Sequence, residues 1–260
     1  MKPTLHKVVL ITGATAGIGK ATAKQFAKNG YDLIITGRRA DRLEKLKKSL
    51  EDKYAIDVLT LTFDVRKKKE VKTALSSLKG NWKKVDILIN NAGLAAGLEE
   101  FHESNLSDWE TMIDTNVKGL LYMSRHISDL MVKRGKGHII NICSTAGHEV
   151  YPKGHVYCAT KHAVSAITQG MRQDLFDKKI KVSQVSPGAV EETEFSMVRF
   201  KGDAEKAAIY DDYVPLNSKD VAKVIFFVAS QPKHVMIHDI VMTGRQQATA
   251  TLFDKSGREA

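Results

Sequence analysis

The sequence predicts an α/β protein: a single domain built on a doubly wound parallel sheet with helices on both faces. Three observations carry this. Short apolar runs alternate with longer amphipathic stretches through most of the 260 residues. The first apolar run passes directly into a glycine-rich loop and then into a helical pattern. Small, amide, hydroxyl and charged residues that suit ligand contact stand where the apolar runs end, and sheets of this class bind ligands at the carboxyl ends of their strands.

The elements follow in order. Val8-Val9-Leu10-Ile11 is a short buried strand. Gly13-Ala14-Thr15-Ala16-Gly17-Ile18-Gly19 comes next, and an amphipathic helix from about Lys20 to Asn29 closes at Gly30, a C-terminal cap glycine. Strand, glycine loop and helix form the first half of a dinucleotide-binding unit, in which backbone N–H groups approach a pyrophosphate at the helix N-terminus. The spacing is Gly-x-x-x-Gly-x-Gly. The second strand, Asp32 to Thr36, ends at Gly37-Arg38-Arg39. An acid at this point would suit NAD by holding a ribose 2′-hydroxyl, whereas guanidinium groups suit the 2′-phosphate of NADP. Either Arg38 or Arg39 fits, and one of them can instead pair with Asp41 or Glu44.

A lysine-rich helix runs to about Lys53, and Val58 to Phe63 is the third strand, ending in Asp64-Val65. Asp64 can accept a hydrogen bond from an adenine amino group or cap the helix that starts near Lys67. The fourth strand, Val85 to Ile89, is closed by Asn90-Asn91-Ala92-Gly93, small residues and amides that allow close backbone approach. Residues 106 to 134 read as one long helical region with Gly119 inside it. Asn116 sits there among apolar neighbours and marks either a kink or a helix carbonyl freed to bind water. The fifth strand covers His138 to Cys143, a helix covers about His155 to Lys178, and the sixth strand runs from Ile180 to Ser186 and ends at Pro187-Gly188. A backbone carbonyl and amide near that turn suit a carboxamide. Residues 189 to 217 lack strong periodicity and are expected to form a mobile flap. A helix from about Lys219 to Ser230 and a weak strand near Val235 to Val241 follow, and the tail from Gln246 has no clear pattern.

The stretch from Ser144 to Lys161 concentrates the chemistry. Tyr157 and Lys161 are four apart, which on a helix puts them on one face. A free tyrosine has a pKa of about 10, and a neighbouring ammonium lowers it by favouring the phenolate. Such a pair can take a proton from an alcohol or return one to a carbonyl. Ser144, at the end of the fifth strand, can hold the same oxygen. Tyr-x-x-x-Lys is also a common solvated helix face, so its meaning depends on the other strand-end residues.

Composition narrows the function classes. The net charge of +10 raises nucleic-acid binding, but the lysines are interleaved with acids and nothing alternates aromatic with basic residues. No apolar run is long enough to span a bilayer, and Met1 to Lys7 leads straight into a strand, so neither a membrane span nor a signal peptide is expected. Cys143 and Cys158 form no CxxC pair and the histidines lack metal-ligand spacing, so no metal site is expected. Two cysteines without a disulfide framework suit a reducing cytoplasm.

Taken as an ordered set, Thr12-Gly13-x-x-x-Gly17-x-Gly19, Asn90-Asn91-Ala92-Gly93, Asn116, Ser144, Tyr157-x-x-x-Lys161 and Pro187-Gly188 resemble the short-chain dehydrogenase/reductase family over nearly the whole chain. The resemblance implies that Tyr157 is the general acid/base, that Ser144 orients the substrate oxygen, that Lys161 lowers the Tyr157 pKa and bonds the nicotinamide ribose, and that Asn116 holds a water linking Lys161 to solvent. It places Gly13, Thr15, Ala16, Gly17, Ile18, Gly19, Arg38, Arg39, Asp64, Val65, Asn91, Ala92, Gly93, Tyr157, Lys161, Pro187, Gly188, Val190 and Thr193 at the cofactor, with Thr193 bonding the nicotinamide carboxamide. The stretches Asp108 to Asn116, Asn90 to Ala95 and Thr193 to Gly202 resemble the branch of NADP-dependent 3-hydroxy acid dehydrogenases, which act on serine, allo-threonine and 3-hydroxyisobutyrate and are typically cytoplasmic homotetramers. Cys143 before Ser144, His148-Glu149-Val150 and Lys153-Gly154-His155 in the loop that follows, and the stretch Met242 to Arg245 depart from that branch. Arg199 is the candidate for holding a substrate carboxylate bidentately; an ion pair with Glu194 or Asp203 is the alternative. A ketone or 3-oxoacyl reductase and a non-catalytic NADP-binding sensor are the rival functions.

Overall fold

The computed structural model describes residues 6–207 and 210–258, the Lys206 side chain excepted. In chain order the strands are β1 (Val8–Ile11), β2 (Asp32–Gly37), β3 (Val58–Thr62), β4 (Val85–Asn90), β5 (Gly137–Ile142), β6 (Ile180–Pro187), β7 (Val190–Glu191), β8 (Leu216–Asn217) and β9 (Asp239–Met242). Seven of them form one parallel sheet in the order β3-β2-β1-β4-β5-β6-β9, while β7 and β8 pair separately with each other. The helices are α1 (Gly17–Lys28), α2 (Ala40–Glu51), α3 (Lys68–Ser76), α4 (Leu106–Ile113), α5 (Leu120–Arg134), α6 (His155–Leu175), α7 (Phe195–Arg199), α8 (Ala204–Ala207) and α9 (Ser218–Ser230).

The sheet is buried on both faces, which explains why β1 is apolar at every position rather than alternating: Val8, Val9, Leu10 and Ile11 are all buried. One core lies under α1, α2 and α9, where Phe26, Leu43 and Ile225 meet Val9, Ile11 and Ile35. The rings of Phe26, Tyr31 and Phe226 lock α1 to α9, with Phe26 5.3 Å from Phe226 and 5.2 Å from Tyr31, both edge-on. The other core joins α3 and α5 to the opposite face through Val71, Leu75, Met123, Ile127 and Met131. β1 pairs with β2 on one side and β4 on the other. The chain reverses its winding there, so the loops after β1 and β4 diverge and leave a crevice above the sheet.

Several elements depart from the sequence reading. Residues 106 to 134 are two α-helices joined by a π-helical turn over Asp114–Gly119. Gly119 sits against Val65, and a Cβ there would stand 2.9 Å from a Val65 methyl. The long helix after His155 ends at Leu175 and continues only as a short 3-10 turn. The last strand is confined to Asp239–Met242. The segment 189 to 217, expected to be irregular, holds β7, α7, α8 and β8; its residues 208 and 209 lie outside the described residues. Short helices of four or five residues give too few turns for periodicity to register.

Among the described residues no helix is long and apolar enough to cross a membrane, and no group of three or more His, Cys, Asp or Glu side chains could hold a metal ion.

Candidate active site

The glycine loop after β1 is fixed from behind. Gly13 and Gly17 have φ of +66° and +49°, in the left-handed region. A Cβ on Gly19 would overlap the Gly13 carbonyl oxygen, so α1 packs directly on the loop. Thr12 Oγ1 accepts hydrogen bonds from the amides of Asn91 and Ala92, at 3.0 and 2.9 Å, and Asn91 Nδ2 donates to Thr12 O at 2.9 Å. The loops after β1 and β4 are thereby clasped into one floor. α1 starts at Gly17 with no side-chain cap from Ala16, which leaves the N-terminal amides of a helix available to an anion.

Beside this loop, at the end of β2, the two arginines separate. Arg39 is taken: it donates to Glu194 Oε2 at 2.7 Å and to Thr15 Oγ1 at 2.7 Å. Neither Asp41 nor Glu44 claims it. Arg38 is exposed on the cavity wall and has no hydrogen-bond or ion-pair partner among the described residues. Asp64 does not cap α3, whose N-cap residue is Lys67. Its carboxylate instead accepts from Arg66 Nε at 2.9 Å and from a terminal guanidinium nitrogen at 2.6 Å. Burial raises the Asp64 pKa, but the hydrogen bonds from Arg66 outweigh it and hold the group below the usual carboxylate range.

The candidate catalytic residues gather at the ends of β4 and β5. Asn116 lies in the π-helical turn, buried, and its side chain is fully used: Oδ1 accepts from Leu94 N at 2.9 Å, while Nδ2 donates to Leu94 O at 2.8 Å and to Thr160 Oγ1 at 3.0 Å. It ties the loop after β4 to α6. A π-turn displaces one carbonyl from the helical ladder and is often found at functional sites. Lys161 is buried on α6 and donates to Ile142 O at 3.0 Å. Gly93 leaves the room beside it; a Cβ there would stand 3.7 Å from Nζ. Ser144 heads a 3-10 turn over Thr145–Gly147, and its Oγ accepts from Ala146 N at 3.2 Å. That leaves the Ser144 proton for a second oxygen.

Tyr157 shares a face of α6 with Lys161, as the spacing predicts, and Lys161 Nζ stands 5.8 Å from its ring centroid. The predicted effect on its acidity is reversed within the protein alone. Burial pushes the Tyr157 pKa above that of a free phenol; Tyr151 adds to the rise, and the Ser144 hydroxyl and Arg199 oppose it. Burial also lowers the pKa of Lys161 itself. Helical spacing placed the pair correctly, but it does not report the loss of water around it.

Arg199 closes the far end. It lies on α7, 8% exposed, with Nε donating to Gly97 O at 3.1 Å and a terminal nitrogen to the Tyr151 hydroxyl at 3.3 Å. Its guanidinium carbon is 6.0 Å from the Tyr157 ring centroid. No carboxylate pairs with it among the described residues; Glu194 is engaged by Arg39 and by Arg42. In place of the alternative surface ion pair stands a buried guanidinium held by a carbonyl and a phenol.

One cavity of about 620 Å³ runs through all of this. Its wall includes Gly13, Thr15, Ala16, Gly17 and Ile18 of the first loop, then Arg38, Arg39, Asp64, Val65 and the run Asn91 to Gly93. It continues past Ser144, Tyr157, Lys161, Pro187, Gly188, Val190 and Thr193 to Arg199. Gly19 and Asn116 are not on the wall; they stand behind it and shape it. The turn at Pro187 offers less than expected, because the Gly188 amide already donates to Met242 O at 2.8 Å and the Ala189 amide to Gln247 Oε1 at 2.8 Å. Thr193 Oγ1 bonds locally to Val190 O at 3.3 Å. Tyr151, Tyr210, Tyr213, Gln247, Phe253 and Lys255, which no sequence pattern singles out, also line the wall. Tyr151 lay inside the stretch already marked by Tyr157; the tail residues carried no periodic signal.

The model of the family described as short chain dehydrogenase matches residues 7–204. An NADP-dependent 3-hydroxy acid dehydrogenase from Salmonella typhi is 46% identical over 246 residues, covering 94% of this chain and 98% of that protein. One from Schizosaccharomyces pombe is 42% identical, covering 94% and 95%. A solved structure, the closed form of a serine dehydrogenase complexed with NADP+, is 45% identical with a TM-score of 0.89, covering 94% of this chain and 98% of that one.

Proposed function

The chain belongs to the short chain dehydrogenase family, and from that premise we propose that it is an NADP-dependent oxidoreductase interconverting the hydroxyl of a short 3-hydroxy acid, of the serine, allo-threonine or 3-hydroxyisobutyrate type, and its oxo form. The observation that carries the substrate class is Arg199: a buried guanidinium without a carboxylate partner, facing the ring of Tyr157. A buried cation of this kind calls for an anion, and a carboxylate can meet its fork bidentately.

The cavity fits the cofactor. The uncapped α1 N-terminus and the positive-φ glycines suit a pyrophosphate, and the unpartnered Arg38 suits a 2′-phosphate. NADP would lie along Gly13–Ile18, Arg38, Asp64, Val65, Asn91–Gly93, Pro187, Val190 and Thr193, and it supplies the hydride acceptor. Arg199 holds the substrate carboxylate. Ser144 donates its proton to the substrate oxygen, which places that oxygen beside the Tyr157 hydroxyl. Tyr157 accepts the hydroxyl proton in oxidation and returns it in reduction. Lys161 shares the Tyr157 face of α6 and joins Arg199 as a cation placed to favour the phenolate. Asn116 positions both by tying α6 to the loop after β4. The segment 189 to 217 acts as a flap over the cavity within the single domain. The protein works as a cytoplasmic homotetramer without nucleic-acid partners; two free, buried cysteines suit a reducing compartment, and the interleaving of lysines with acids suits a surface that does not grip nucleic acid.

The test is an initial-rate panel at alkaline pH. NADP and NAD are each offered with L-serine, L-allo-threonine, 3-hydroxyisobutyrate, 3-hydroxybutyrate and a neutral secondary alcohol. Turnover confined to NADP and the hydroxy acids is expected. Turnover of the neutral alcohol alone would remove the carboxylate site and leave a dehydrogenase of another substrate class.

A further inference from the structure

Glu194 stands at the point where the cover of the cavity meets the arginine corner. Its carboxylate accepts from Arg39 through Oε2 at 2.7 Å and from Arg42 through Oε1. Arg39 at the start of α2 and Arg42 within it belong to the cofactor side of the crevice, whereas Glu194 is the N-cap residue of α7. The ion pairs thus bridge the mouth. The residue before Glu194 completes the seal: Thr193 rests on the glycine loop so closely that a Cβ on Gly17 would stand 3.1 Å from its side chain. At the other end of α7, a doubled hydrogen bond to a buried arginine and one further ion pair anchor the chain. Arg199 exchanges hydrogen bonds with Gly97, Nε to Gly97 O at 3.1 Å and Gly97 N to Arg199 O at 3.0 Å, and Lys201 pairs with Asp108 at 2.8 Å.

The segment is bounded by backbone that can act as hinges. Glu192 and Lys201, neither a glycine, have φ of +54° and +53°, and Gly202 has +92°. Non-glycine residues in the left-handed region store strain, and such positions commonly border moving segments. Residues 192 to 202 therefore form a strap. Its α7 end near Arg199 is pinned inside the fold, and its Glu194 end is held at the surface, where Arg39, Arg42 and Glu194 are each about two-fifths exposed.

We propose that Glu194 is the latch of this strap: its ion pairs to Arg39 and Arg42 hold residues 192 to 202 shut over the bound coenzyme. Arg39 and Arg42 then set how long the coenzyme stays, while Arg38 sets which coenzyme is chosen. The inference rests on the coenzyme reading above and adds to it a division of labour among three neighbouring arginines. Opening breaks two ion pairs that water can reach. The latch is therefore weakened by salt and is blind to the 2′-phosphate.

The experiment measures dissociation of NADPH and of NADH from the full chain by stopped-flow nicotinamide fluorescence, for the wild type, Glu194→Gln and Arg42→Met. Both coenzymes should leave about threefold to tenfold faster from Glu194→Gln, and by a smaller factor from Arg42→Met, with the two coenzymes affected equally. Added salt should speed NADH release from the wild type and much less from Glu194→Gln. Unchanged release in both variants overturns the latch. Faster release of NADPH alone overturns it too, because Glu194 would then act through the 2′-phosphate. A wild type that binds neither coenzyme retires the coenzyme reading itself, a result visible before any variant is made.

Discussion

At the β2 end of the cavity Arg38 is exposed and Arg39 is paired with an acid; at the α7 end Arg199 is buried and pairs with no acid among the described residues. In sequence the three arginines look alike. Their surroundings divide them. Water screens the charges at the β2 end, so ion pairs there are worth little and can open and close cheaply. Around Arg199 the partners are a carbonyl and a phenol, which satisfy hydrogen bonds but leave the charge uncompensated. An exposed charge paired with an acid suits grip and release, whereas a buried one held only by neutral partners suits selection of an anion.

The largest effect is expected between the two ends, at the reacting group. Tyr157→Phe keeps the packing against Phe195 but removes the proton carrier, and should lower kcat by about 10²–10⁴-fold while leaving NADPH binding, read by fluorescence titration, nearly intact. An active Phe variant would move the proton transfer elsewhere. Next comes the buried arginine. Arg199→Ala should raise KM for a hydroxy acid by about 10²-fold, the loss of a charge-assisted pair, and change that for a neutral alcohol far less. Equal loss on both would show that Arg199 only props the wall. At the exposed end the effect is smaller: Arg38→Met should weaken NADP by about tenfold and spare NAD, as steady-state KM values for the two coenzymes would reveal. A variant that still prefers NADP would pass the role to Arg39.

The smallest expected effect is on stability. Burial lowers the Lys161 pKa from its ordinary 10.5. Below the lowered value the ammonium must be kept inside the fold at full cost, and the unfolded chain binds more protons than the native one as pH rises from there to 10.5. Lys161 therefore costs stability at neutral pH, and the cost fades across that alkaline window. Lys161→Met should abolish turnover yet raise Tm by a few degrees at pH 7, about 1 kcal/mol, with a gain that shrinks on going to alkaline pH. A large drop in Tm would mean the Ile142 hydrogen bond matters more than the buried charge. The raised Tyr157 pKa gives a kinetic counterpart: oxidation, which needs the phenolate, should speed up with rising pH, and reduction, which uses the phenol, should not.

The strand-end residues were legible because each is bound to a local pattern. The Thr12–Gly19 loop sits between a run of four apolar residues and an amphipathic helix, and Tyr157 and Lys161 share a helix face by spacing alone. Asn116 was visible as an amide among apolar neighbours, but the π-turn around it was not, since one residue of extra winding leaves no mark on periodicity. Gln246 and Gln247 were invisible. They are buried far from their sequence neighbours in function, accepting from the amides of Val214 and Ala189 in segments that no periodic pattern connects.

By itself the sequence determined the alternation of strands and helices, the order of the crevice-forming loops and the Tyr157, Lys161 and Ser144 set, because backbone periodicity and short-range spacing fix these before any long-range contact forms. Only the tertiary structure decided which arginine is free, which is latched and which is buried. It also decided that the Tyr157 pKa rises where helical proximity to Lys161 alone would lower it. Those outcomes depend on solvent exclusion and on partners 155 residues apart, such as Arg39 and Glu194, and a charge acquires its role only when the fold settles how much water it keeps.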